Sequence, residues 1–232
     1  MKNILIVVSL LILVSSCSSK PEKVLPKGPE ETKNDEIQKE YVVTDSISKT
    51  RPGWIEDSEL WARSKGFDIK SYRYFSFETE PKVSRSIACN LAKANARADI
   101  ASEISTFIDK QLGSSEEGSA GIDENNPNVQ ALRQFVENTL AEKIQALIHG
   151  ASVKKSYWEK RKYKEDLGAK RDFTAYTCGV LIRMSSKRLK KAIDEAANHV
   201  VKQVDDPETK ENVKKALANI SENFVKAKSG QL

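Results

Sequence analysis

The chain has 232 residues, 31% of them charged, and a mean hydropathy of −0.53, which suits one soluble folded domain with tails. Lys and Arg number 38 against 33 Asp and Glu, so the net charge of +5 is too small an excess for a dedicated nucleic-acid binder. Three cysteines and two histidines are thin material for a metal site, and no internal repeat of fixed period is present.

The first element is a leader. Met1-Lys2-Asn3 is short and positive, and an apolar run from Ile4 to Val14, interrupted only at Ser9, is too short to span a bilayer. Val14-Ser15-Ser16-Cys17 follows, so residues 1–16 read as a secretory signal peptide. A cysteine directly after such small residues resembles the lipobox of bacterial lipoproteins. That resemblance implies cleavage before Cys17, a diacylglyceryl group on its sulfur and an acyl group on the new amino terminus. No other cofactor is expected. One acyl chain anchors only marginally, whereas three hold a protein on a membrane. The next residue is Ser18, not Asp, which by the same resemblance points to the outer membrane.

Residues 17–50 read as the lipidated cysteine and a tether. Ser18 to Thr50 is dominated by Pro, Glu, Lys, Ser and Asp, and as a flexible coil it would span roughly 30 Å. Tyr41-Val42-Val43 has the composition of a short edge strand, and that alternative stays open.

A folded domain is expected over 51–204. Arg51-Pro52-Gly53-Trp54 leads in, and Trp54 and Trp61 read as lids on a core rather than as a ligand platform. Tyr72 to Phe77 alternates as a strand ended before Pro81. A long helix follows, with Ile87, Leu91, Ala94, Ala98, Ala101, Ile108 and Leu112 on its main apolar face. Cys89, Ala96, Ile100 and Phe107 form a second stripe, nearly opposite, and are the candidate interaction surface. Residues 113–126 read as a loop. Asn126 and Pro127 then start a second helix with Val129, Leu132, Val136, Leu140, Ile144 and Leu147 as its stripe.

Ala151 to Lys164 reads as a strand that carries the one basic and aromatic patch. Lys154, Lys155, Lys160, Arg161 and Lys162 are candidate contacts for an anionic polymer. The alternative is an edge strand blunted by lysines. Arg171 to Met184 has apolar residues on both faces and reads as a central strand. Ser185 or Ser186 caps a third helix. Residues 205–232 form a C-terminal amphipathic helix capped by Asp206, with Val213, Leu217, Ile220 and Phe224 as its stripe.

No catalytic motif accompanies these elements. His149 and His199 lack an orienting carboxylate in a recognisable pattern, and GxSxG, HExxH, CxxC and phosphate-loop motifs are missing. Cys89 and Cys178 have two readings, a disulfide in an oxidising compartment or small buried hydrophobes. Free, buried thiols are expected.

The element order predicts an α+β fold, a three-stranded antiparallel sheet covered by helices, with an extra C-terminal helix. The lipobox, Arg51-Pro52-Gly53-Trp54 and the segment Ala94-Asn95-Ala96-Arg97-Ala98-Asp99-Ile100-Ala101-Ser102-Glu103-Ile104 together resemble the Lpp-twenty family of bacterial outer-membrane lipoproteins, which includes FlgP-like members, over roughly residues 51–204. The resemblance implies a structural or assembly role without catalytic residues and, in FlgP-like members, rings around the flagellar motor. The expected molecule is therefore a non-enzymatic lipoprotein. Its partners would be the membrane, through its lipid, and envelope proteins or itself, with no nucleic acid. The alternatives are a lipoprotein that binds lipopolysaccharide or peptidoglycan, and a flagellar-motor ring component. A cell-wall hydrolase has the least support.

Overall fold

The computed structural model describes residues 25–33, 40–116, 127–148 and 150–229. Its strands are β1 (Thr32–Lys33), β2 (Tyr41–Ser46), β3 (Thr50–Arg51), β4 (Tyr72–Glu78), β5 (Ser152–Tyr163) and β6 (Phe173–Ser185). The helices are α1 (Ser58–Ser64), α2 (Arg85–Glu116), α3 (Pro127–Phe135), α4 (Ala141–Leu147), α5 (Ser186–Lys202), α6 (Pro207–Ala216) and α7 (Ile220–Lys228). A π-helical turn, Val136–Leu140, joins α3 to α4. The fold is α+β, as expected.

The main sheet is antiparallel in the order β2-β5-β6-β4, and β1 and β3 form a separate two-stranded ribbon. Three strands were expected. The fourth, β2, comes from the presumed tether and pairs with β5, Tyr41 opposite Tyr163 and Val43 opposite Arg161. Six residues suffice for a strand when their partners are in place, and a polar flanking composition conceals so short a run. β2 covers only the second half of β5, from Glu159 to Tyr163, so Lys160 and Lys162 lie on an interior stretch. Lys154 and Lys155 lie where no strand among the described residues covers the outer side of β5, as the edge-blunting alternative has it.

Period-two alternation divides the sheet residues between two covered faces. One face, with Phe75, Cys178, Val180, Ile182 and Met184, joins the main core with α2 to α7. The other, with Tyr74, Tyr157 and Leu181, packs under Trp54 and Trp61. Both tryptophans are buried, which fits their reading as lids. Helices on a single face would have left these aromatic side chains in water.

Helix α2, about 48 Å long at 1.5 Å per residue, packs on β4, β5 and β6 and also on α4, α6 and α7. Ser84 starts it, its hydroxyl accepting the Ile87 N–H at 3.3 Å. The buried stripe is Ala88, Ala92, Ala96, Ile100, Ile104, Ile108 and Leu112, an unbroken i+4 row. Its small residues come first and its large ones last. The expected main face is partly reversed, since Ile87, Ala94 and Ala98 point outward. Alanine is nearly neutral in hydropathy, so alanine positions misplace a helix face read from periodicity alone.

Leu132, Val136, Leu140 and Ile144 are buried, as the second-helix stripe requires. Val129 lies outside the described side chains. Beside the π turn, the Ser105 hydroxyl donates to the Val136 carbonyl at 3.1 Å. The C-terminal stripe of Val213, Leu217, Ile220 and Phe224 is buried in the same core, although a break at Asn219 (φ 61°) divides the expected single helix into α6 and α7. Asp206 caps α6 as read, accepting the Thr209 N–H at 2.7 Å.

Strand β4 is the second sheet edge, and α1 closes it. The Tyr74 N–H donates to Glu59 Oε1 at 3.0 Å, and the Ser58 hydroxyl donates to the Tyr74 carbonyl at 2.9 Å. Two side chains thereby take the place of a neighbouring strand at that residue. Burial raises the Glu59 carboxyl above its ordinary value, opposed by the Tyr74 N–H and Arg73. Glu59→Ala leaves the Tyr74 N–H buried and unpaired, with an expected loss of about 1–3 kcal/mol; Glu59→Gln retains the acceptor and loses less. Denaturant titration of the two variants measures the difference.

Cys89 and Cys178 form a disulfide with a Cα–Cα distance of 5.0 Å, which corrects the expectation of free thiols. The reason is inter-element register. Docking α2 on β6 stacks a half-buried flank of the helix over the helix-facing side of the strand, and neither local pattern encodes that stacking. The sequence separation is 89 residues, so reduction, or the double replacement Cys89→Ser/Cys178→Ala, is expected to cost about 2–4 kcal/mol. Intact mass without reductant, two hydrogens lighter than the reduced chain, checks the bond itself.

Candidate functional site

Of the candidate site residues, Cys17 lies outside the described residues. His149 lies outside them as well. The proposed surface on α2 does not form. Ala96 and Ile100 are buried in the core, and Cys89 is bonded to Cys178. Phe107 is half-buried, edge-on to Phe224 at 5.3 Å, in a groove of about 510 Å³ lined also by Asp99, Glu103, Lys110 and Lys228.

The five basic residues of β5 do not share a surface. Lys154 sits at a register shift between Val153 and Lys155. Lys155 lies on the tryptophan side, its ammonium 4.8 Å from the Trp61 ring. Lys160 and Lys162 alternate to the opposite face, Lys160 lying 5.8 Å from the Tyr176 ring. Arg161 is buried and ion-paired, which removes it as a polymer contact.

Around Arg161 is a cluster that sequence reading missed. It joins Arg51, at the end of β3, to Glu78, at the end of β4, and to Glu159 and Arg161 on β5. The Arg51 guanidinium grips Glu78 with two hydrogen bonds of 2.8 Å and reaches Glu159 Oε1 at 3.4 Å. Arg161 donates through Nη2 to Glu78 at 2.9 Å and through Nε to Glu159 at 2.6 Å. The Tyr157 hydroxyl donates to the other Glu159 oxygen at 2.9 Å. Arg51 also reaches Glu56 at 3.2 Å, and the Tyr41 ring lies 4.3 Å from the Arg161 guanidinium. A signal was present in the alternation Tyr157, Glu159, Arg161, Tyr163, a mixed-charge face hidden among the intervening lysines. Arg51, more than a hundred residues away, could not be matched to it from spacing.

Two cations and two carboxylates leave the cluster formally neutral. Burial alone would raise the Glu78 carboxyl, but the Arg51 hydrogen bonds and the charges of Arg51 and Arg161 hold it below the ordinary glutamate value of 4.5. Burial works against the charge on Arg51 and Arg161, and the carboxylates outweigh it. A carboxylate held ionised and saturated by guanidinium donors is a poor general acid. What the arrangement does is fasten β2 and β3 to the sheet.

A second feature lies beside it, a hollow of about 490 Å³. Trp54, Trp61, Phe67 and Tyr157 give it aromatic walls, and Ile47, Lys65, Lys155 and Glu31 lie around them. The Phe67 ring stacks on Trp61 at 5.4 Å. Among the described residues, no group of three or more His, Cys, Asp or Glu side chains is placed to hold a metal ion. No helix of the described residues is long and apolar enough to cross a membrane.

The depressed value of Glu78 sets a pH dependence. Its contribution is present above the ordinary value of 4.5 and is lost as pH falls through the lower folded value. Glu78→Gln is expected to be less stable than the parent chain near neutral pH by about 1.5–3 kcal/mol. The gap should close on acidification, which urea titrations at pH 7 and below pH 4.5 would measure. Comparison with known protein families, curated proteins and solved structures found no match to this chain.

Proposed function

We propose that this chain is a bacterial lipoprotein, anchored to the outer membrane through Cys17, whose folded domain is a non-enzymatic structural or interaction module of the cell envelope. The observation that carries the reading is the succession of a positive start, a short apolar run and Val14-Ser15-Ser16-Cys17. The Cys89–Cys178 disulfide is independent support, because such bonds persist in oxidising compartments such as the periplasm. The Lpp-twenty resemblance belongs to the same proposal, and with it self-association of the domain. An interaction role is favoured over catalysis because the half-buried Glu78 and the buried Glu159 are both engaged by arginines. Lipopolysaccharide or peptidoglycan binding through β5 is the weaker reading, since its basic residues divide between two faces and a buried cluster.

Membrane fractionation tests the anchor. Mature protein carrying Cys17 is expected in the outer-membrane fraction, with a mass increment of three acyl chains on its first residue. Cys17→Ser is expected to leave the membrane, and equal retention of the two forms overturns the proposal. Crosslinking of the lipidated protein in its native envelope, followed by pull-down, tests the interaction role. Recovery of neither an envelope protein nor a second copy would count against it.

A further inference from the structure

Part of the segment that composition reads as a free tether, residues 25–33, is docked on the domain. Pro29 crosses Gly53 so closely that a Cβ on Gly53 would lie 2.7 Å from the Pro29 carbonyl oxygen. Gly28 lies against Ser64 with no room for a side chain, and Leu25 lies within 3.5 Å of where a Gly66 Cβ would be. Thr32 and Lys33 then pair with Thr50 and Arg51, and Arg51 is locked into the charge cluster. From Cys17 to Leu25 the chain advances eight residues, at most about 26–29 Å whatever its conformation. The 33-residue tether read from composition is thus replaced by a short leash that leaves the domain beside the end of α1.

That side of the domain carries three of the seven large apolar side chains exposed among the described residues, the others being Val83, Ile87, Val153 and Phe173. Leu25, Ile47 and Phe67 are 41%, 56% and 44% exposed. Ile47 and Phe67 flank the aromatic hollow, and Leu25 lies against Gly66, next to Phe67. Lys65 and Lys155 line the same hollow, together with Glu31. Apolar side chains with lysines beside them suit the boundary between headgroups and acyl chains, where a ring enters the bilayer and an ammonium stays among phosphates.

We propose that this face, Leu25, Ile47 and Phe67 with Lys65 and Lys155, rests on the phospholipid surface of the membrane that holds Cys17. The inference rests on the lipid anchor proposed above. The anchor alone fixes a distance; the docked leash and the exposed apolar residues fix an orientation. The helical layer of α3 and α4, which packs with α2 on the other face of the sheet, then faces away from the bilayer.

The experiment uses full-length lipidated protein in vesicles of phosphatidylethanolamine and phosphatidylglycerol containing nitroxide-labelled lipid. A fluorophore is placed at Phe67→Cys, at Ile47→Cys or, as a control on α4, at Glu142→Cys. Quenching several-fold stronger at positions 67 and 47 than at 142 is the expected result. Equal quenching at all three, in protein that floats with the vesicles, overturns the orientation and leaves the anchor standing. Protein that neither floats nor carries acyl mass on Cys17 removes the anchor and this inference with it. A fluorophore at 67 that is shielded from lipid quencher and crosslinks to a second copy also overturns the proposal, because another chain then covers the face.

Discussion

The ionic cluster of Arg51, Glu78, Glu159 and Arg161 is the constraint on which the arrangement of the N-terminal third depends. Removing four charges from water is costly, and the cost is offset only because each carboxylate meets two guanidinium groups in good geometry. Arg51 is the member that comes from outside the main sheet. With Arg51 paired, β3 lies beside the sheet, β1 pairs with β3, and β2 adds to β5 over Tyr163 and Arg161. Such a cluster adds little net stability over apolar packing of the same volume, and losing one partner is what costs, because it leaves a charge of the opposite sign uncompensated.

The opposite face is governed by apolar packing and a covalent bond. The i+4 row on α2 starts with alanines where the helix lies close on β6, and Cys89 is joined there to Cys178. It ends with isoleucines and a leucine where the helix meets α4, α6 and α7. Two halves of one helix thus serve different neighbours, the alanine half beside the disulfide to β6 and the larger residues toward α7, where Phe107 meets Phe224.

Elements whose signals are local were legible in the sequence. The Tyr72 strand, the described part of the second-helix stripe, the central character of β6 and the Asp206 cap all follow from periodicity and capping chemistry, while Asn126, read as the cap of the second helix, lies outside the described residues. Features that require two distant segments to be placed together were not legible. The Cys89–Cys178 bond, the addition of β2 to β5 and the match of Arg51 to Glu78 depend on how elements dock, and docking leaves no periodic trace. The exposed side of α2 was misread for another reason, since Ala94 and Ala98 carry too little hydropathy to reveal which way they face. Of the candidate site residues, Ala96 and Ile100 were correctly recognised as an apolar stripe, but a stripe reports burial without naming what buries it.

The closure of β4 by Ser58 and Glu59 limits how this domain can assemble with copies of itself. Polymers that grow by adding strand to strand need a row of free backbone donors and acceptors, and at Tyr74 both groups are already taken by side chains. At the other border, β2 carries a bulge between Val43 and Asp45 that interrupts any regular ladder. Strand addition is thereby obstructed at Tyr74 and at the β2 bulge, and the part of β5 ahead of Trp158, with Lys154 and Lys155 on it, is the stretch of sheet border that no strand among the described residues covers.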